Sequence, residues 1–271
     1  MFGRQNHNGL KPADALTAAR YRNLNLGCGA RFHADWVNAD LAPADSARVV
    51  RLDLQQPLPF AAETFDAVYH SHVLEHLPRS AAPGFLAECR RVVRPGGILR
   101  VVVPDLETIA RLYLENLAGA WAGDSKAADR HEWMTLELLD QLTREQSGGE
   151  MLRHWSRSPM PAEDFVVERM GGEVRGALER IRRPGAKKPP TAPADAAALG
   201  RFRNSGEVHK WMYDRASLRA LLTAAGFADF AVCRADESRI AEWPSFHLDA
   251  EPDGSVRKPD SLFAEAVATA K

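Results

Sequence analysis

Leu24–Asp40 reads LNLGCGARFHADWVNAD. One short apolar run stops at Gly27-Cys28-Gly29, and a second, beginning at Trp36, stops at Asp40. Glycine has no Cβ and tolerates positive φ, so a strand that ends in glycines lets a ligand approach its backbone. An acid at the end of the next strand can accept hydrogen bonds from two ribose hydroxyls. Together the two features point to a nucleoside-bearing cofactor at the carboxyl edge of a parallel sheet.

Outward from this stretch, strands and helices alternate. Arg48–Leu54 reads as a third strand ending near Asp53, and Phe65–Ser71 as a fourth. Ser80 can cap a helix that places Phe85, Leu86, Cys89 and Val93 on one face. Arg94-Pro95-Gly96-Gly97 breaks it, and the β-branched run Ile98–Val103 is a fifth strand. Such alternation implies a mostly parallel sheet with helices on both faces.

After Pro104 the pattern changes. Asp105 can cap a helix with Leu106, Ile109, Ala110, Tyr113, Leu114 and Leu117 on one face. A second helical pattern runs through His131–Gln146, and Met160–Ile181 is helical in part. Arg182–Arg201, rich in proline and alanine, reads as a mobile loop. Trp121, Trp133, Trp155 and Trp211 are expected to form the core of this segment. Ordinary connections run to about 4–6 residues, and one this long usually forms a lid or a substrate pocket. Sheet pattern then resumes. Asp214 precedes a helix with Leu218, Leu221, Leu222 and Ala225 inward, closed by Gly226. Phe227–Cys233 and Ser261–Val267 follow as strands. The expected organisation is a loose leader over 1–20, a domain made of 21–104 and 207–271, and a helical insertion over 105–206 that covers the cofactor and shapes the acceptor pocket.

Composition narrows the function. Of 271 residues, 35 are Lys or Arg and 36 are Asp or Glu, for a formal charge of -1. That balance gives no global reason to bind nucleic acid or an anionic membrane. Arg153, Arg157, Arg182, Arg183, Lys187 and Lys188 could rim a phosphorylated substrate, although such runs are usually just solvated. Cys28, Cys89 and Cys233 are too widely spaced for a metal motif and fit a reducing, cytoplasmic compartment. No run approaches the roughly 20 apolar residues that cross a bilayer, and MFGRQNHNGLKPADAL has no signal-peptide core.

LNLGCG, the Asn38–Asp40 acid, the Leu52–Leu54 LDL, FDAVYHSHVLEHL (Phe65–Leu77), RVVRPGGILRVVVPD (Arg91–Asp105) and LLTAAGF (Leu221–Phe227) occur in this order. In that order and spacing the chain resembles class I S-adenosylmethionine-dependent methyltransferases, and most closely their type 11 group. The resemblance implies a Rossmann-like sheet, mostly parallel, with an antiparallel strand near the C-terminus. It also implies S-adenosylmethionine as cofactor and S-adenosylhomocysteine as product. Gly27, Cys28 and Gly29 would pass under the methionine and ribose. Asp40, followed by Leu41, would hold the ribose hydroxyls, and Asp53 and Leu54 would flank the adenine. His70 or Ser71 would offer a backbone carbonyl to the methionine ammonium. Asn25 stands where the family usually has an acid. The gap from Gly29 to Asp40 leaves room for a single turn over Ala30–Asp35. A nicotinamide-binding unit would place a whole helix there.

The histidines carry the remaining chemistry. His72-Val73-Leu74-Glu75-His76 matches the inverted zinc-peptidase pattern, but it follows a parallel strand, which is the wrong scaffold. Residues three and four apart share a helix face, so His72, Glu75 and His76 can converge on a metal, with His209 joining from Gly206–Asp214. The plant small-RNA 2′-O-methyltransferases are similar here, with a Glu-x-x-Glu-His motif and a later histidine holding magnesium. With His72 in place of the first glutamate, the set suits zinc, iron or nickel better. A divalent metal can therefore be accommodated by this reading but is not expected. Without one, His72 and His209 are the expected bases for a hydroxyl acceptor. His131, His154 and His247 read as surface or packing residues. The leading expectation is O-methylation of a small-molecule or saccharide hydroxyl. Metal-assisted methylation of an RNA terminus and a non-catalytic cofactor-binding partner protein are the alternatives.

Overall fold

The computed structural model describes residues 21–43, 45–185, 193 and 195–270. The leader, Lys187, Lys188 and much of the Pro-rich segment lie outside the described residues. Seven strands form one sheet: β1 (Asn23–Leu26), β2 (Trp36–Asp40), β3 (Val49–Arg51), β4 (Phe65–Ser71), β5 (Val93–Pro104), β6 (Phe227–Val232) and β7 (Ser261–Ala268). Their order is β3-β2-β1-β4-β5-β7-β6, and β7 runs antiparallel to both its neighbours. Leu24 pairs with Val37 on one side and Val68 on the other, so β1, β2 and β4 end at the same edge. The chain order reverses direction between β1 and β4, which is where an open α/β sheet makes its ligand crevice. As the spacing requires, turns alone connect β1 to β2 over Ala30–Asp35.

Alternation along the strands separates two cores. Leu24, Leu26, Val68, Leu99 and Val101 face one way, against Phe85, Leu86 and Cys89 of α1 (Ala82–Val92) and Leu218 and Leu222 of α8 (Arg215–Ala224). Trp36, Ala67, Tyr69, Val102 and Phe263 face the other way, against Ile240, Trp243 and Leu248 of a segment the sequence reading left blank. Arg100, which interrupts the apolar run of β5, is fully buried. It pairs in register with Glu265 of β7 and also meets Asp249.

Between β5 and α8 the described residues form six helices: α2 (Leu106–Trp121), α3 (Ser125–Thr143), α4 (Gly149–Trp155), α5 (Glu163–Met170), α6 (Gly172–Ile181) and α7 (Ala196–Arg203). Asp105 caps α2 through Thr108 N at 3.2 Å, as expected. These helices share a separate core of Ile109, Trp133, Trp155, Val166, Val174 and Leu178, together with Met134, Met151, Met160, Met170 and Met212. Five of the chain's six methionines are thus used here, where the flexible thioether fills gaps between short helices of irregular direction.

Several expectations need correction. Ala81, not Ser80, sits at the N-cap of α1, and Pro83 takes the first turn. The third strand stops at Arg51, so Asp53 and Leu54 lie in the loop beyond it. Gly96 and Gly97 fall inside β5, which starts at Val93. Ala196–Arg203 is a helix capped by Asp195, because an alanine run with an acidic cap favours one. Trp121 is 91% exposed and Trp211 39%, so neither is a core residue. Leu114 and Leu117 of α2 are also exposed. Contacts on α2 go through Leu106, Ile109, Leu112 and Tyr113.

Candidate active site

A cleft of about 230 Å³ opens at the carboxyl ends of β1, β2 and β4. Of the expected residues, Gly27, Asp40, Leu41, Asp53, Leu54, His72 and His76 line it. Gln55, Val73, Leu77 and Gly206 line it too and were not anticipated. The signal for Gly206 was its place just ahead of His209, where the insertion returns to the sheet.

The glycines act through the turn. Gly27 and Cys28 both donate to Ala39 O, at 2.7 and 3.1 Å, which ties the end of β1 to β2. Gly27 has φ +66°, and a Cβ there would collide with Val73, so the absent side chain makes room for the cleft wall. Asp40 accepts from Gly29 N at 2.8 Å through Oδ2 and from Ala42 N at 2.9 Å through Oδ1. A carboxylate has about four acceptor positions, so Asp40 keeps capacity for two hydroxyls. Asp53 Oδ1 accepts from Gln55 N at 3.0 Å and is free in the same sense. The acceptors Asp40 and Asp53, with apolar walls from Leu41, Leu54 and Leu77, fit an adenosine.

Other expected residues support the cleft from behind and are not among its lining. Asn25 is buried, with Nδ2 donating to Arg31 O and Asn38 Oδ1, both at 3.2 Å. It therefore ties the β1–β2 turn together. Cys28 is buried, and burial pushes its thiol up to about 12. His70 is fully buried beside Phe85, and burial pulls its imidazole down to about 4. Ser71 ends β4.

His72 directly follows β4 with φ +54°, a left-handed conformation that a non-glycine residue holds at a cost of about 1–3 kcal/mol. Its surroundings hold it there. His72 N donates to Val102 O at 2.9 Å. Nδ1 stands 3.0 Å from Glu75 Oε1, and Nε2 lies 2.9 Å from Ser261 Oγ. Glu75 is fully buried. Burial would raise its carboxyl, but His72 first, then His209 and His76, hold it down at about 2. His209 does not line the cleft. It lies behind His76, with ring centroids 4.7 Å apart, and burial pulls it down to about 3.

Of the expected basic rim, Arg153, Arg157 and Arg182 pair with Glu150, Glu132 and Glu163, and Arg183 is exposed. Among the described residues, no helix is long and apolar enough to cross a membrane.

Comparison with known proteins bears on this geometry. The family described as "Methyltransferase domain" matches residues 24–101, which run from β1 through most of β5. A Mycobacterium leprae protein named as a phthiotriol/phenolphthiotriol dimycocerosates methyltransferase is 26% identical over 227 residues, covering 75% of this chain and 72% of that one. A probable S-adenosylmethionine-dependent methyltransferase of Mycolicibacterium smegmatis is 33% identical over 104 residues, 32% of this chain and 39% of that one. Among solved structures, a Thermotoga maritima protein described as a possible histamine N-methyltransferase overlaps 92% of this chain and 82% of its own at 12% identity, with a TM-score of 0.40. The match over residues 24–101, with the sheet order and the cleft with its two acids, identifies an S-adenosylmethionine-dependent methyltransferase built on a Rossmann-like sheet.

Proposed function

We propose that this enzyme methylates a hydroxyl of a small-molecule or saccharide acceptor, with His72 as the base. One observation carries the reading. His72 is a cleft residue whose Nδ1 faces the buried carboxylate of Glu75 and whose Nε2 already meets a hydroxyl, that of Ser261, at 2.9 Å. With the proton on Nδ1, toward Glu75, Nε2 is left as the acceptor.

When bound, S-adenosylmethionine supplies an electrophilic sulfonium methyl and leaves as S-adenosylhomocysteine. Asp40 and Asp53 are the residues that would hold its ribose and adenine. His72 would take the acceptor's hydroxyl proton on Nε2, and Glu75 would stabilise the imidazolium that results. An alcohol attacks well only as its proton leaves, so the base matters more here than it would for an amine or a carboxylate. The Mycobacterium leprae relative is named for a phthiotriol acceptor, which agrees with a hydroxyl substrate. The paired arginines of the insertion favour a small acceptor over a nucleic acid, whose phosphates need clustered free cations.

The test is methyl transfer from labelled cofactor to a panel of glycosides and long-chain diols. His72→Ala should lower turnover by roughly 10²–10⁴-fold, with cofactor affinity by calorimetry unchanged. Equal turnover in the variant would remove His72 from the role. Transfer to amines but to no hydroxyl compound would remove the acceptor class.

A further inference from the structure

Behind the cleft wall lies a cluster of which methyl transfer uses only Glu75, through its contact with His72. Glu75 and His76 belong to a 3-10 turn, Leu74–His76, just after β4, and His209 reaches them from the far end of the insertion. One ligand atom from each of the three lies within 4.8 Å of the others. Glu75 is 0% and His209 4% exposed. Glu75 Oε2, His76 Nδ1 and His209 Nδ1 are buried with no hydrogen-bond partner, while Glu75 Oε1 faces His72 Nδ1. Leaving such a group unmet costs about 1–3 kcal/mol, more if it is charged, so three of them together call for a shared partner.

The backbone presets the geometry. Lys210 N and Trp211 N donate to Glu75 O at 2.6 and 3.2 Å, and His209 N donates to Gln141 O at 2.9 Å. The two halves of the cluster are therefore already in register before anything binds.

We propose that Glu75, His76 and His209 bind one divalent first-row transition ion. Two imidazole nitrogens and one carboxylate suit zinc, cobalt or iron, whereas magnesium and calcium prefer all-oxygen sites. Three protein ligands leave a position for water or another oxygen. The ion joins the returning end of the insertion to the turn beside the cofactor cleft, because His76 is also a wall of that cleft. His72 stays on the cleft side with Nε2 on Ser261. The inference does not depend on the acceptor reading and is tested by binding alone.

Untagged protein stripped with chelator is titrated with Co²⁺, followed by calorimetry and by the visible absorption of the ion. The expected result is one equivalent bound, with the band intensity of a four- or five-coordinate site, and displacement by Zn²⁺. His209→Ala and Glu75→Gln should each weaken binding by roughly 100-fold or more, while His247→Ala, on the surface, should leave it unchanged. No saturable uptake at micromolar Co²⁺, or undiminished uptake in folded His209→Ala and Glu75→Gln, overturns the proposal. If those variants fail to fold, paramagnetic broadening of histidine ring protons in the wild type decides. Broadening of His76 and His209 supports the site, and broadening confined to other histidines overturns it.

Discussion

Two clusters of buried polar side chains sit in this sheet's surroundings, and they are built on opposite rules. In the first, Arg100 donates to Asp249, Glu265 and Cys233 and to the carbonyls of Arg234, Ala235 and Glu237. Asp249 also accepts from Tyr69 Oη at 2.5 Å, and Glu265 from Arg239 N at 2.9 Å. The guanidinium further lies 4.4 Å from the centre of the Trp243 ring. In the second cluster, Glu75 and His209 are buried and His76 is partly buried, but Glu75 Oε2 and the Nδ1 atoms of both histidines have no hydrogen-bond partner. A closed network of charges has nothing left to offer a ligand and serves to fix the segment that covers the second sheet face. An open one keeps its bonding capacity, and it stands at the carboxyl edge, where ligands bind.

The comparison can be broken most forcefully at Arg100. Arg100→Ala strands two buried carboxylates and should destabilise the fold by about 3–5 kcal/mol, read from urea unfolding. Cofactor affinity of the folded fraction should hold. An effect below about 1 kcal/mol, the level of a surface pair, would show that the network is not structural. Asp40→Ala should give the reverse signature. Losing hydrogen bonds to a charged acceptor costs about 1.5–3 kcal/mol, so cofactor affinity by calorimetry should fall by the matching tenfold or more. The melting temperature should fall less than in Arg100→Ala, since within the fold Asp40 holds only the exposed turn amides of Gly29 and Ala42. Gly27→Ala combines both effects on a smaller scale. A non-glycine residue in the left-handed region costs about 1–2 kcal/mol, and the added methyl meets Val73. Stability and cofactor affinity should fall together, and Val73→Ala should restore part of the loss. Full stability in Gly27→Ala would mean that the turn can relax without the cleft wall.

What the sequence disclosed follows the same division. The strand ends Leu26-Gly27, Asp40 and Ser71 were readable because a parallel sheet brings such ends to one edge whatever lies between them. The joining of His209 to Glu75 and His76 was suggested by likeness to the plant small-RNA methyltransferases, but His72, expected in the same set by helical spacing, is not part of the cluster and turns its Nε2 to Ser261. The closed network was not readable. Arg100 looked like an interruption of β5, and only the antiparallel return of β7 places Glu265 opposite it. The signal was a lone arginine in a β-branched run matched by a lone glutamate in the last strand. Asn25 was read by analogy with an acid at its position, yet its amide binds the adjacent turn and not the cleft. In the insertion, periodicity gave the helices but not their contacts. α2 is apolar on more than one face, so the pattern could not say which face the methionine-rich core would cover.

That last ambiguity yields the smallest effect. Trp121 closes α2 and is 91% exposed, whereas Trp133 of α3 is fully buried with Nε1 on Glu137 Oε2 at 3.0 Å. Both looked like core residues in the sequence, and the energetic consequence should separate them. A surface substitution away from caps and networks stays within about 0.5 kcal/mol. Trp121→Gln should therefore leave the urea midpoint and the cofactor affinity where they are. A loss of 2 kcal/mol or so, the scale of a buried aromatic, would mean that Trp121 is covered in solution. The insertion would then have a further contact surface on α2 that belongs to neither cluster.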